Sequence, residues 1–107
     1  MINIDDFKKC EIRIGKVLSA EKVDGSDKLI KFVFDLGTEQ RQILGGLAPG
    51  YPDPSVLIGK EMPIIANLEP RKLMGLESQG MILAADGNGL PVILTPEKEV
   101  PPGSAVR

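Results

Sequence analysis

The stretch Glu11-Ile12-Arg13-Ile14-Gly15-Lys16-Val17 alternates polar and apolar residues up to Ile14, then shifts its apolar phase across Gly15 to reach Val17. Alternation at a two-residue period is the mark of a half-buried strand. A glycine at the phase change predicts a bulge or a sharp coil within one long strand, a shape that suits a small barrel. Working outward, Asp24-Gly25-Ser26-Asp27 is a turn signal. The run Leu29-Ile30-Lys31-Phe32-Val33-Phe34-Asp35-Leu36 then puts Ile30, Phe32, Phe34 and Leu36 on one strand face, with Lys31 and Asp35 on the other. After Gly37-Thr38-Glu39, residues 40–44 alternate again and stop at Gly45-Gly46, which outlines an antiparallel hairpin.

On either side of these three strands the signals are shorter. Asp5-Asp6 reads as the N-cap and first turn of a short helix starting near Phe7. Asp53 reads as the N-cap of a one- or two-turn helix, with Pro54 in its first turn and Gly59 as its stop. Residues 61–66 form a predicted fourth strand and 81–85 a fifth. Three strands, a short helix and two strands, with a coiled first strand, is the order of a five-stranded OB barrel, an all-β fold whose helix lies between strands 3 and 4. The barrel is expected over 1–85 and a C-terminal extension over 86–107. That extension carries the apolar patch Leu90-Pro91-Val92-Ile93-Leu94 and a Pro-rich end. Its apolar surface must be covered, either by its own barrel or by a twin in a homodimer.

Composition narrows the function. The chain has 107 residues, 42% hydrophobic and 26% charged, which fits one domain. There is no histidine and a single cysteine, Cys10. Internal disulfides, multi-cysteine zinc sites, imidazole-ligated metals and Ser-His or Cys-His nucleophile pairs are therefore ruled out. No cofactor is implied, and an enzyme would have to work with carboxylates or a lysine. No apolar stretch approaches the roughly 20 residues that span a bilayer, and the first residues lack the basic and apolar regions of a secretory signal, so the expected location is the cytoplasm. Net charge is −2, from fifteen acids against thirteen bases. Any polyanion must then be held by a local basic cluster, which suffices because charges are screened beyond about 8 Å.

Such a cluster lies in Ala66-Asn67-Leu68-Glu69-Pro70-Arg71-Lys72-Leu73-Met74-Gly75-Leu76-Glu77-Ser78-Gln79-Gly80-Met81. A Pro-broken loop with adjacent cations and adaptable methionines offers phosphate-binding charge and apolar contact on one surface, which suits an RNA. Here the chain resembles the tRNA-binding OB domains found at the C-terminus of bacterial methionyl-tRNA synthetases and as free-standing structure-specific tRNA-binding proteins. The resemblance runs nearly end to end, through Asp6-Phe7, Ile12-Arg13-Ile14-Gly15-Lys16-Val17, Gly25-Ser26-Asp27-Lys28-Leu29, Tyr51-Pro52-Asp53-Pro54 and, most fully, the 66–81 segment. It departs at Gly45-Gly46, where similar chains often have Ser-Gly. The resemblance implies a non-catalytic tRNA-binding module, usually homodimeric, that adds tRNA affinity to methionyl-tRNA synthetase. Some relatives resemble secretion chaperones, so a protein-interaction module is the competing expectation.

Arg71 and Lys72 are the first candidates for phosphate contact, Arg as a bidentate fork and Lys as a mobile point charge. Lys28, Lys31 and Arg41 are candidates on the adjoining strands. Asn67 and Ser78 offer hydrogen bonds to a base or ribose, or else serve the turns around them. Met74 offers a thioether to slide beneath a base, and Gln79 and Met81 complete the candidate set within the motif. Single-strand binders stack bases on rows of aromatics worth about 1–3 kcal/mol each. The rings here are Phe7, Phe32, Phe34 and Tyr51, two of them on a predicted core face. A folded RNA read by shape and a few unpaired bases, hence tRNA, suits that composition better than single-stranded DNA.

Overall fold

The computed structural model describes all 107 residues as an OB-like barrel with a C-terminal extension. Helix α1 (Ile4–Lys8) is one turn long and is capped by Asn3, not by Asp5 or Asp6. The Asn3 side chain accepts from the Asp6 N–H at 2.9 Å, and Asp6 returns the bond to the Asn3 N–H. The two aspartates thus sit in the first turn, where the helix dipole favours them.

The long strand β1 (Ile12–Lys22) serves two partners. Residues from Ile12 to Lys16 pair antiparallel with β4 (Glu61–Ile65), and those from Lys16 to Lys22 with β2 (Ile30–Asp35). The register slips between Val17 and Ser19, so the predicted bulge exists but lies beyond Gly15. Gly15 has another reason to lack a side chain: a Cβ there would come within 2.8 Å of the Phe34 ring. Strand β3 (Gln40–Gly45) completes the β2–β3 hairpin, and β7 (Met81–Ile82) pairs with β4, giving the sheet order β3-β2-β1-β4-β7.

The core follows the alternation of β2. Ile30, Phe32 and Phe34 are wholly buried, and the two rings stack with centroids 5.5 Å apart. Val17, Ile43, Leu57, Met62 and Ile64 pack with them. Leu57 arrives on a 3-10 turn (Pro54–Leu57), the short helix expected between strands 3 and 4, capped by Asp53 as its sequence suggests. Tight 3-10 geometry fits so short a segment.

Two segments depart from expectation. The 66–81 connection is itself a hairpin, β5 (Arg71–Leu73) against β6 (Leu76–Ser78), with Met74 and Gly75 both at positive φ. Two positive-φ residues make a turn whose twist matches a tight hairpin. The expected fifth strand 81–85 is divided: β7 ends at Ile82, and β8 (Ala84–Gly87) pairs instead with β9 (Leu90–Ile93) outside the barrel. Asn88-Gly89 supplies that hairpin's turn. Beyond it the tail returns to the barrel. Gly103 and Ser104 exchange backbone hydrogen bonds with Ile14 at 2.7 and 2.8 Å, along the edge of β1 that β2 leaves uncovered. Arg13 secures the tail by donating to the carbonyls of Gly103 and Leu36.

Candidate nucleic-acid interface

The 66–81 segment is fastened at both ends before its hairpin projects. At the first end, the Asn67 Oδ1 accepts from the Glu11 N–H at 2.8 Å, and its Nδ2 donates to the Lys9 carbonyl at 2.7 Å. Asn67 thereby ties α1 and the start of β1 to the end of β4. At the other end, Ser78 is 5% exposed; its hydroxyl accepts from the Leu44 N–H at 3.0 Å and donates to the Gly80 carbonyl at 3.2 Å. Gln79 takes the Gln42 N–H on its side-chain oxygen at 3.1 Å and gives its own N–H to the Gln42 carbonyl at 2.8 Å. Strand β3 is thus closed against β6 partly by side chains standing in for a backbone ladder.

Arg41 locks the same seam. Its guanidinium donates to the carbonyls of Ala66 and Gln79 and pairs with Glu39 at 2.8 Å. Lys31 is engaged as well, its Nζ lying 2.9 Å from Glu21, its register partner on β1. Among the residues singled out in the sequence, Asn67, Ser78, Gln79, Arg41 and Lys31 therefore spend polar atoms on the fold itself.

Lys28, Arg71 and Lys72 do not. All three are exposed and take part in no ion pair. Arg71 and Lys72 ride on β5, and Met74 stands at the hairpin tip, 55% exposed. The tip meets the 23–29 loop: a Cβ on Gly25 would lie 3.1 Å from the Met74 methyl. That loop is shaped by the Ser26 hydroxyl, which accepts from the Lys28 and Leu29 N–H groups. Lys28 and the hairpin cations accordingly sit on two segments that converge.

Between these segments and β3 runs a groove of about 740 Å³. Its apolar lining includes Leu29, Leu44, Leu47, Leu73, Met81 and Ile82, with Gly45 and Gly46 along one side. Arg71 and Glu69, both exposed, supply its charge. Neither Glu69 nor Gly46 is among the site residues expected from the sequence, where Gly45-Gly46 reads only as a strand stop and a departure from similar chains. The Gly45-Gly46 pair was the available signal, since a double glycine at the end of a strand removes side chains where a surface must stay open. The arrangement can hold a polyanion against free cations while an apolar moiety enters the groove. No group of three or more His, Cys, Asp or Glu residues is placed to hold a metal.

Residues 12–105 match the family model described as "Putative tRNA binding domain". The chain is 58% identical over 105 residues to the methionine–tRNA ligase of Archaeoglobus fulgidus, covering 98% of this chain and 16% of that enzyme. A crystal structure of a MetRS related protein from Pyrococcus horikoshii superposes with a TM-score of 0.94 at 38% identity, over 100% of this chain and 98% of that one. The chaperone CsaA of Bacillus anthracis gives a TM-score of 0.90 at 28% identity, over 100% and 99% of the two chains. The chain thus spans about one sixth of the synthetase relative and nearly the whole of the two solved chains. Matched along most of its length by sequence and fold, the chain belongs to the tRNA-binding domain family.

Proposed function

We propose that this chain is a non-catalytic tRNA-binding module that raises the affinity of methionyl-tRNA synthetase for tRNA, either as an appended domain or in trans. The observation that carries this reading is the set of unpaired cations, Lys28, Arg71 and Lys72, on two converging loops beside an apolar groove. Phosphates are held by free Arg and Lys, and none of these three side chains is held in an ion pair. The similarity to methionine–tRNA ligases supports the choice of partner.

The module acts as a homodimer. Ile2, Ile4 and Phe7 around α1 and Leu90, Val92 and Leu94 of the extension are exposed apolar residues, of the kind a twin subunit covers.

The test is a titration of unfractionated tRNA at two salt concentrations, with single-stranded DNA of similar length as competitor. Binding that weakens steeply with salt and resists the competitor is expected. In Arg71→Ala with Lys72→Ala the salt slope should fall by about 1 to 2. Unchanged affinity in that folded double variant would remove the proposal.

A second reading is favoured by the fold shared with CsaA and by the apolar groove: a chaperone or protein-interaction module. Suppression of client aggregation without measurable tRNA binding would select it.

A further inference from the structure

We infer that the groove between the 23–29 loop, β3 and the β5–β6 hairpin seats one unpaired guanine of the bound RNA, its base edge on Glu69 and its phosphate on Arg71. This inference rests on the tRNA-binding reading and assigns a subsite within it.

Size comes first. A groove of about 740 Å³ falls within the roughly 300–1,000 Å³ of small-molecule sites. It suits an inserted nucleotide better than a helix laid along the surface. The neighbouring strand edge excludes a second kind of guest. Along β3, the Gln42 and Leu44 N–H groups are already taken by Gln79 and Ser78. An extended peptide therefore finds no backbone edge to extend, and that edge is where such peptides gain affinity.

Chemistry then selects among nucleotides. With Phe32 and Phe34 buried and the Tyr51 hydroxyl holding the Ile93 N–H, no ring lines the groove. The base must lie against aliphatic side chains and the flat Gly45-Gly46 backbone. The polar atoms of Ser78 are committed to Leu44 and Gly80. That leaves Glu69 as the free side-chain acceptor in the lining and Arg71 as the free cation. A carboxylate receives two parallel N–H bonds from the N1–H and N2–H₂ of an unpaired guanine, the bidentate arrangement that makes charged hydrogen bonds strong. Uracil offers a single N3–H between two carbonyls, which a carboxylate repels. Unpaired bases present this edge because no partner strand occupies it.

Gly46 provides the test. A Cβ there would meet no atom within 4 Å, so the side chain of Gly46→Leu starts in open space on the groove wall. Expected is a tRNA Kd raised at least tenfold with the thermal unfolding midpoint unchanged. Wild-type affinity in that folded variant overturns the inference. If Arg71→Ala with Lys72→Ala still weakens binding in that case, tRNA recognition stands and the groove subsite alone falls. A second measurement needs no variant that fills the groove and no tRNA. Titrating the wild-type protein with guanosine 5′-monophosphate should shift the methyl NMR signals of Leu44 and Ile82 at lower concentration than uridine 5′-monophosphate does. Glu69→Gln should shrink that difference. Equal responses to the two nucleotides, or responses to an apolar peptide and to neither nucleotide, overturn the inference.

Discussion

The hairpin of β2 and β3 and the hairpin of β5 and β6 both carry exposed-face cations, yet they use them differently. On the first, Lys31 is paired with Glu21 and Arg41 is wedged between Glu39 and the carbonyls of Ala66 and Gln79. On the second, Arg71 and Lys72 project without a partner. The first hairpin lies within the five-stranded sheet, where Lys31 meets its register partner Glu21 and Arg41 reaches carbonyls just past the ends of β4 and β6. The second leaves the sheet and meets the rest of the molecule mainly at its tip and its end. Arg71 and Lys72 are thereby available to a ligand, while Lys31 and Arg41 are engaged by the fold.

The largest test of that contrast is Arg41→Ala. It strips acceptors at the β3–β6 seam of a charged donor and should cost about 2 to 3 kcal/mol in urea unfolding. The Arg71→Ala, Lys72→Ala double variant should change stability by no more than about 0.5 kcal/mol. Equal losses in the two would erase the distinction. Next, Ser78→Ala leaves the buried Leu44 N–H without its acceptor. A loss of about 1 to 2 kcal/mol is expected by the same measurement. If Ser78 instead served chiefly as a ligand contact, stability would hold and only tRNA affinity would drop.

Smaller still, Glu21→Gln releases Lys31. An exposed pair of this kind contributes at most about 1 kcal/mol. The freed lysine tests whether engagement is what silences it: a salt slope of tRNA binding steeper by up to about 1 would show that it had been held back. The smallest effect lies away from both hairpins. The Asp53 carboxyl is held below its ordinary 3.8, chiefly by the Ser55 hydroxyl and then by the Ser55 backbone N–H. A depressed carboxyl adds stability above its unfolded value and loses it as pH falls through the folded one. Weakening this dependence by Ser55→Ala should leave a slightly shallower decline of the thermal midpoint as pH falls through 3.8 and below.

Much of the barrel was legible in the residues. The alternation of Ile30, Phe32, Phe34 and Leu36 identified the buried face, and Asp53-Pro54 identified the 3-10 turn that brings Leu57 beneath the core. The β5–β6 hairpin was missed because its strands are three residues each, too short for a two-residue period to register, and because Met74, an uncommon residue at positive φ, occupies its turn. The fifth strand was drawn too long for a related reason. The apolar run through Leu83 and Ala84 has no polar break, and what divides it is a change of partner from β4 to β9. Among the site residues, Arg71, Lys72 and Lys28 could be named from charge and motif. Arg71 and Lys72 read as loop cations and Arg41 as a strand-borne one, but the residues alone do not give the carbonyls of Ala66 and Gln79 that engage Arg41.

What the sequence determined by itself is local in origin: strand periodicity, turn and cap residues, the absence of histidine, and a motif dense enough to place the chain in its family. Which polar groups remain free was decided by tertiary structure alone. The long-range partners of Arg41, Ser78 and Asn67 are the Ala66 carbonyl, the Leu44 N–H and the Lys9 carbonyl, 25, 34 and 58 residues away in the chain. Backbone carbonyls and N–H groups are the same at every residue, so only the folded register determines which of them a side chain meets.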